Sequence, residues 1–235
     1  MNIRGFIFDL DGVVTDTAEY HYRGWKRLAD EQGWAFDRAA NERLRGVSRR
    51  ESLLRLLGDR ASQYSEAQLQ EWMRLKNEYY LASIREITPR DLLPGARELL
   101  AEIRAAGMKA ALGSASKNAR EVIERLGIRE LFDAIADGNS VERQKPAPDL
   151  FLHAAAELGL KPSSCVVVED AQAGIDAAKA GGFYALGLGP PERVQGADAI
   201  FPNLDGIHLA DILDALNAGS SAPVRPERGK DNAAL

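Results

Sequence analysis

Cysteine is nearly absent. Cys165 is the only one in 235 residues, so no intrachain disulfide can form and a cytoplasmic setting is expected. Histidine is scarce too: His21, His153 and His208 lie far apart in the chain, which argues against a histidine-rich zinc site. No apolar run approaches the roughly 18 residues of a membrane span. The N-terminus has no basic stretch followed by an apolar one, so a signal peptide is not expected. Lys and Arg (30) are outnumbered by Asp and Glu (35), and the net charge of −5 argues against a general nucleic-acid surface while leaving room for a local basic pocket. Internal repeats are missing as well. What remains, 45% hydrophobic and 28% charged, is the balance of a globular protein with a core to bury.

Against that background, residues Phe6 to Thr17 stand out: Phe-Ile-Phe-Asp-Leu-Asp-Gly-Val-Val-Thr-Asp-Thr. An apolar run leads straight into Asp9 and Asp11, one residue apart, and then Gly12. Burying charge at a strand end is costly unless something neutralises it, and two carboxylates this close require a proton or a cation between them. The pattern suggests a metal-assisted site at the carboxyl end of a parallel strand. A strand followed by an Asp-Gly turn would also explain Asp11-Gly12, though not the apolar approach to Asp9.

The periodicity predicts a strand over Gly5 to Phe8, then helices from Thr17 to about Ile87. Ser48-Arg49-Arg50-Glu51 and Ser65-Glu66-Ala67-Gln68 read as capping boxes, with Gly58 as a stop between them. From Pro94 the pattern alternates. Helices are expected over Ala96 to Ala106, Asn118 to Leu126, Asp149 to Leu158, Gly174 to Gly181 and Leu209 to Leu216. Strands are expected over Met108 to Leu112, Ala134 to Ala136, Cys165 to Val168, Tyr184 to Leu188 and Ala199 to Phe201. Such alternation implies an α/β fold, a doubly wound, Rossmann-like parallel sheet. A lone strand cannot pair with nothing, so the helical block reads as an α-helical cap domain (16–91) inserted into a core made of 1–15 and 92–218. Residues 219–235 lack any apolar period and are expected to be a disordered tail.

Three further polar clusters fall where strands of this sheet should end. Gly113 to Asn118 (Gly-Ser-Ala-Ser-Lys-Asn) opens a helix, and small residues there let backbone N–H groups approach an anion; Ser and Asn also cap helices that hold no ligand. Lys145-Pro146-Ala147-Pro148-Asp149 fixes the backbone around Lys145, although a proline-rich helix start is common. Glu169-Asp170 repeats the acidic pair, with a plain strand-to-helix turn as the alternative. Side by side at one sheet edge, these groups would line a crevice suited to phosphoryl transfer. Carboxylates repel a phosphate, and Mg²⁺ plus an ammonium would offset that repulsion. Oxygen ligands without histidine favour Mg²⁺.

These residues resemble the haloacid dehalogenase superfamily: Asp9-Leu10-Asp11-Gly12 looks like its first motif, Ser114 its second, Lys145 its third and Glu169-Asp170 its fourth. The likeness runs from about residue 2 to 215, in order and spacing, with the helical insertion resembling the cap of its first subclass. Thr15 to His21, Trp25, Gly46-Val47-Ser48-Arg49, Ser52, Lys76-Asn77, Ser114 to Asn118 and Lys145 to Asp149 are similar to the β-phosphoglucomutase family within it; Ala171 departs from the serine expected there. The resemblance implies an isomerase that interconverts β-glucose 1-phosphate and glucose 6-phosphate through an aspartyl phosphate and a bound β-glucose 1,6-bisphosphate. It implies Asp9 as nucleophile and Asp11 as general acid/base, with Thr17 and His21 assisting. It further implies Mg²⁺ on Asp9, the Asp11 carbonyl and Asp170, with Glu169 in or beside the shell. Ser114, Ala115 and Lys145 would hold the transferring phosphate, and Arg49, Ser116, Lys117 and Asn118 the other. Trp25, Gly46, Val47, Ser52 and Lys76 would complete the sugar site. The partners implied are small-molecule sugar phosphates, not nucleic acid or membrane, and the chain is expected to be a monomer.

The residues lend some support of their own. Lys76 falls on the apolar side of its helix with Trp72, Met73 and Tyr80, as a lid over a polar substrate would require, or simply as a snorkelling lysine. Arg49 sits in a first turn, where the macrodipole disfavours a cation; a phosphate partner would explain that, and a solvated arginine is the alternative. His21, one turn into a helix, reads by itself as a surface histidine; the resemblance implies instead a cap residue that positions Asp11 or the substrate. His153 and His208 read as structural. The core motifs serve a sugar-phosphate phosphatase of the same superfamily equally well, and only the cap residues favour two phosphate sites. A non-catalytic phosphosugar-binding module on this fold is disfavoured by the intact ionisable set.

Overall fold

A computed structural model describes residues 2–219. The tail expected over 219–235 therefore lies, apart from Gly219, outside the described residues. Six strands form one parallel sheet: β1 (Gly5–Phe8), β2 (Lys109–Gly113), β3 (Ala134–Ala136), β4 (Cys165–Glu169), β5 (Tyr184–Leu188) and β6 (Ala199–Phe201). Their order is β3-β2-β1-β4-β5-β6. Parallel pairing demands crossovers, and helices supply them on both faces.

The strands are apolar on both sides, as a doubly covered sheet requires. Phe6 and Phe8 face one buried cluster with Leu100, Leu112, Val166 and Val168, and Ile7 faces the other with Ala111, Phe151, Val167 and Ala185. β1 sits between β2 and β4, where the winding reverses direction. Ligand crevices in open α/β sheets lie at the carboxyl ends of strands at such a switch point.

Between β1 and β2 come the inserted helices α1 (Ala18–Gln32), α2 (Arg38–Glu42), α3 (Arg49–Leu57) and α4 (Glu66–Ile84). They bury a separate cluster that includes Trp25, Leu28, Trp34, Leu53, Trp72 and Met73. Fully burying a side chain such as Leu28 contributes roughly 1.5–3 kcal/mol. The insertion thus has a core of its own. The two crossings run side by side: Leu93 N–H donates to the Val14 carbonyl (2.9 Å), and Thr15 Oγ1 donates to the Asp91 carbonyl (2.7 Å).

The remaining helices are α5 (Ala96–Ala105), α6 (Ala119–Arg125), α7 (Asp149–Leu158), α8 (Gln172–Ala180) and α9 (Leu209–Ala218). Several boundaries differ from those the sequence predicts. β2 starts at Lys109 because Met108 N–H closes the end of α5 on the Ile103 carbonyl, while Lys109 N–H opens the ladder on Arg4. β4 extends to Glu169, which pairs with Gly187. The two expected capping boxes are half formed. Ser48 Oγ accepts Glu51 N–H (3.2 Å) and Ser65 Oγ accepts Gln68 N–H (3.3 Å), but Glu51 turns to Arg55 instead of returning. A complete box forms instead at Thr88 and Asp91, on the second crossing. His208 supports its structural assignment: it caps α9 and pairs with Glu102 at 2.7 Å.

Candidate active site

At the end of β1, Asp9 keeps its N–H on the Val168 carbonyl (2.9 Å), so its carboxylate projects from the centre of the sheet edge. Lys145 Nζ lies 2.6 Å from both Asp9 Oδ1 and Glu169 Oε1, with all three side chains buried. The second Glu169 oxygen accepts the N–H groups of Asp170 (2.9 Å) and Ala171 (3.0 Å), which tie it to the start of α8. This explains why α8 begins at Gln172 and runs through Gly174. A methyl group at position 174 would sit 1.8 Å from Glu169 Oε1, so only glycine lets the helix pack there. Gly12 is required on the other side: its φ is +84°, and a Cβ would fall 2.2 Å from Asp170 Oδ2.

Ligand oxygens from Asp9, Glu169 and Asp170 all lie within 4.8 Å of one another. Burial pushes Glu169 up to about 8, against the pull of Lys145, and Asp170 up to about 6. Three carboxylates here face two cations within ion-pair distance, Lys145 and Arg45, and burial leaves little water to screen the remaining charge. Three buried, oxygen-only ligands with that excess fit a magnesium ion. The Asp11 side chain stands outside this group, and any ligand from Asp11 would be its backbone carbonyl.

Thr17 Oγ1 donates to Asp11 Oδ1 in a close contact, and His21 Nε2 faces Asp11 Oδ2 at 4.0 Å. Burial, then Asp9 and Asp170, hold Asp11 well above the usual carboxylate range. A carboxyl whose hold on its proton is strengthened in this way suits a general acid. His21 stacks on Tyr80 (centroids 4.2 Å apart), and Lys76 Nζ approaches its Nδ1 to 2.6 Å. Burial first, then Lys76 and Arg49, keep His21 neutral well below 6.5. Lys76 is itself only 2% exposed, and burial followed by Arg49 depresses it. Its ammonium lies over the rings of Tyr80 (4.8 Å) and Trp25 (5.1 Å).

Arg49, at the head of α3, donates to Asn77 Oδ1 (2.7 Å), and the Asn118 amide donates to the same oxygen (2.8 Å). Asn77 thus joins the inserted helices to the core loop. Among the described residues no carboxylate lies within ion-pair distance of Arg49 or Lys76. Ser114 Oγ and Ser116 Oγ accept the N–H groups of Ser116 and Asn118, so this loop caps itself.

One pocket gathers fourteen of the expected residues: Asp9, Asp11, His21, Trp25, Gly46, Val47, Arg49, Ser52, Lys76, Ser114, Ala115, Ser116, Lys117 and Asp170. Thr17, Asn118, Lys145 and Glu169 stand behind its wall, each bonded to a group named above. Three more lining residues, Asn41, Leu44 and Arg45, escape the sequence reading, as does Asn77 as a bridge, while Ala18 lines the pocket from the Thr15 to His21 segment without a role of its own there. The segment between α2 and α3 has no periodicity to expose Arg45; its only hint is its place before Gly46.

A central-strand aspartate held by a lysine, beside an oxygen-only cation cluster and a pocket rich in free cations, can accept and pass on a phosphoryl group. The fold and site define a phosphotransferase. The chain belongs to the haloacid dehalogenase-like hydrolase family, whose family model matches residues 3–182. It is 45% identical over 200 residues to a β-phosphoglucomutase of Bacillus subtilis, covering 84% of this chain and 88% of the relative. Its fold matches a crystal structure of β-phosphoglucomutase from Clostridium difficile with a TM-score of 0.88 at 41% identity, covering 92% of this chain and 98% of the other. A phosphorylated-carbohydrates phosphatase of Thermotoga maritima is 30% identical over 94% of both chains.

Proposed function

We propose that the protein is a β-phosphoglucomutase, interconverting β-glucose 1-phosphate and glucose 6-phosphate by way of β-glucose 1,6-bisphosphate. Asp9 attacks the phosphorus and carries the phosphoryl group as an aspartyl phosphate. Asp11 protonates the leaving hydroxyl and takes the proton from the incoming one, with Thr17 and His21 orienting it. Lys145, Ser114 and Ala115 hold the transferring phosphate. Arg49, Ser116, Lys117 and Asn118 hold the second phosphate, and Trp25, Gly46, Val47, Ser52 and Lys76 enclose the sugar. A magnesium ion on Asp9, Asp170 and the Asp11 carbonyl, with Glu169 beside it, would offset charge on the phosphoryl oxygens.

The observation that carries this reading is a pair of cations, the buried Lys76 and the half-buried Arg49, that share a pocket with Asp9 yet have no carboxylate within ion-pair distance among the described residues. Buried charges are normally paired, so these two await an anion. A bisphosphate brings one phosphate to Asp9 and another to them. Residues 16–91 then act as a cap whose hinges are the bonded crossings near Thr15 and Leu93, closing to keep water off the aspartyl phosphate. The setting that goes with this reading is a cytoplasmic monomer working on free sugar phosphates. The test is to incubate the protein with magnesium, β-glucose 1-phosphate and a trace of the 1,6-bisphosphate. Glucose 6-phosphate with little free phosphate supports the mutase, whereas stoichiometric phosphate release makes it a phosphatase.

A further inference from the structure

Arg45 lies between α2 and α3 and reaches out of the inserted helices into the acidic cluster. Its Nη1 is 2.5 Å from Asp170 Oδ2, and its Nε is 3.1 Å from Glu42 Oε2. One guanidinium therefore joins a core carboxylate that is almost fully buried to a cap carboxylate that is largely exposed. The oxygens of the cluster are nearly all engaged. Lys145 holds one from Asp9 and one from Glu169; backbone N–H groups hold the other two; and Arg45 holds one of the two from Asp170. Asp170 is thus the member a cation can claim most readily, and Arg45 is what stands on it.

We propose that Arg45 competes with the metal: it neutralises Asp170 while no cation is bound, and an arriving cation drives it back onto Glu42. A divalent ion and a guanidinium cannot crowd one carboxylate without strong mutual repulsion. The place for the displaced side chain is already built. Glu42 holds Nε, and Asp16, Glu19 and Glu42 line an adjoining surface cavity together with Arg45. Arg45 gives up Asp170 there but keeps Glu42, with Asp16 lining the same cavity; Glu19 is already held by Arg23 and Arg38. Because Arg45 leads directly into Gly46, Val47 and Arg49, the shift also moves the segment that forms the pocket wall.

The quantity at stake is the apparent metal affinity. If Arg45 occupies Asp170 nine-tenths of the time, binding is weakened about tenfold relative to a free site. The inference rests on the magnesium assignment made above, and the experiment separates the two. Magnesium chloride is titrated calorimetrically into the full-length, metal-free protein without substrate, for wild type, Arg45→Gln, Glu42→Gln and the double variant, each checked for folding by thermal melting. Competition requires Arg45→Gln to tighten magnesium binding severalfold and Glu42→Gln to weaken it. It further requires Glu42→Gln to have no effect once Arg45 is gone. A plain through-space field from Glu42 would persist in the double variant, and that result overturns the proposal. So does an Arg45→Gln protein that binds as wild type does. Absence of magnesium binding in all four proteins overturns the metal assignment itself.

Discussion

The Lys76 ammonium lies 2.6 Å from Nδ1 of His21, and among the described residues no carboxylate is close enough to pair with it. Lysine has only N–H groups to offer, so Nδ1 must accept. The neutral ring then carries its proton on Nε2, which faces Asp11. A lysine from α4 in this way selects the tautomer that presents a donor to Asp11, the proposed proton carrier.

Such a lysine is costly to the fold. Lys76→Met keeps the length of the side chain and removes a buried, unpaired charge. It is expected to stabilise the protein by roughly 1–3 kcal/mol, seen as a higher melting temperature, by about 2–4 °C per kcal/mol for a chain of this size. Turnover should fall sharply in the same variant. A melting temperature that drops would contradict the claim that Lys76 is held against its own solvation.

His21 gives a dependence on pH. Its folded pKa is depressed, so below about 6.5 the unfolded chain takes a proton that the folded chain refuses. Stability is fully present above that value and declines as pH falls towards the folded pKa. His21→Phe, which keeps the stacking on Tyr80, should flatten this part of the profile. Denaturant midpoints between pH 5 and 7.5 for the two proteins test it, and parallel profiles would refute the assignment.

Asn77 offers one oxygen to both Arg49 and Asn118. Asn77→Ala should leave the fold nearly as stable, with a loss of about 1 kcal/mol for the hydrogen bonds. Its effect should appear in binding: a higher KM for the sugar phosphate with less change in kcat. A fall in kcat alone would place Asn77 outside phosphate recognition.

The catalytic sheet edge was legible because its residues are punctuated by strand ends. Asp9, Ser114 and Glu169 each interrupt an apolar run, and a parallel sheet aligns such interruptions by construction. The inserted helices were legible as helices, from the lone strand before them and from Trp72, Met73, Lys76 and Tyr80 on one stripe. What the one-dimensional pattern does not carry is pairing across the crevice. Arg45 to Asp170 spans 125 residues and Asn77 to Asn118 spans 41, and neither partner occupies a periodic position. The helix expected from Gly174 begins at Gln172, and only the contact of Gly174 with the Glu169 carboxylate shows why a glycine sits inside α8.

Asp9→Asn removes the proposed nucleophile while leaving a side chain of nearly the same shape. Turnover should fall by roughly 10³-fold or more, as expected when a covalent step is lost. Acid-stable phosphate should no longer accumulate on the protein after exposure to bisphosphate. Labelling that survives at another residue would move the nucleophile elsewhere.

Lys145 tests how the cluster is held together. Its ammonium bonds Asp9 and Glu169 at once, and those two carboxylates raise its pKa despite burial. Lys145→Met leaves both carboxylates buried with no cation between them, and breaking a buried pair in this way costs about 3–5 kcal/mol. The melting temperature of the metal-free protein should therefore drop by several degrees or more. Magnesium supplies charge to the same oxygens, so it should recover more stability in the variant than it adds to wild type. Equal magnesium shifts in the two proteins would mean that the ion and the lysine do not act on the same carboxylates.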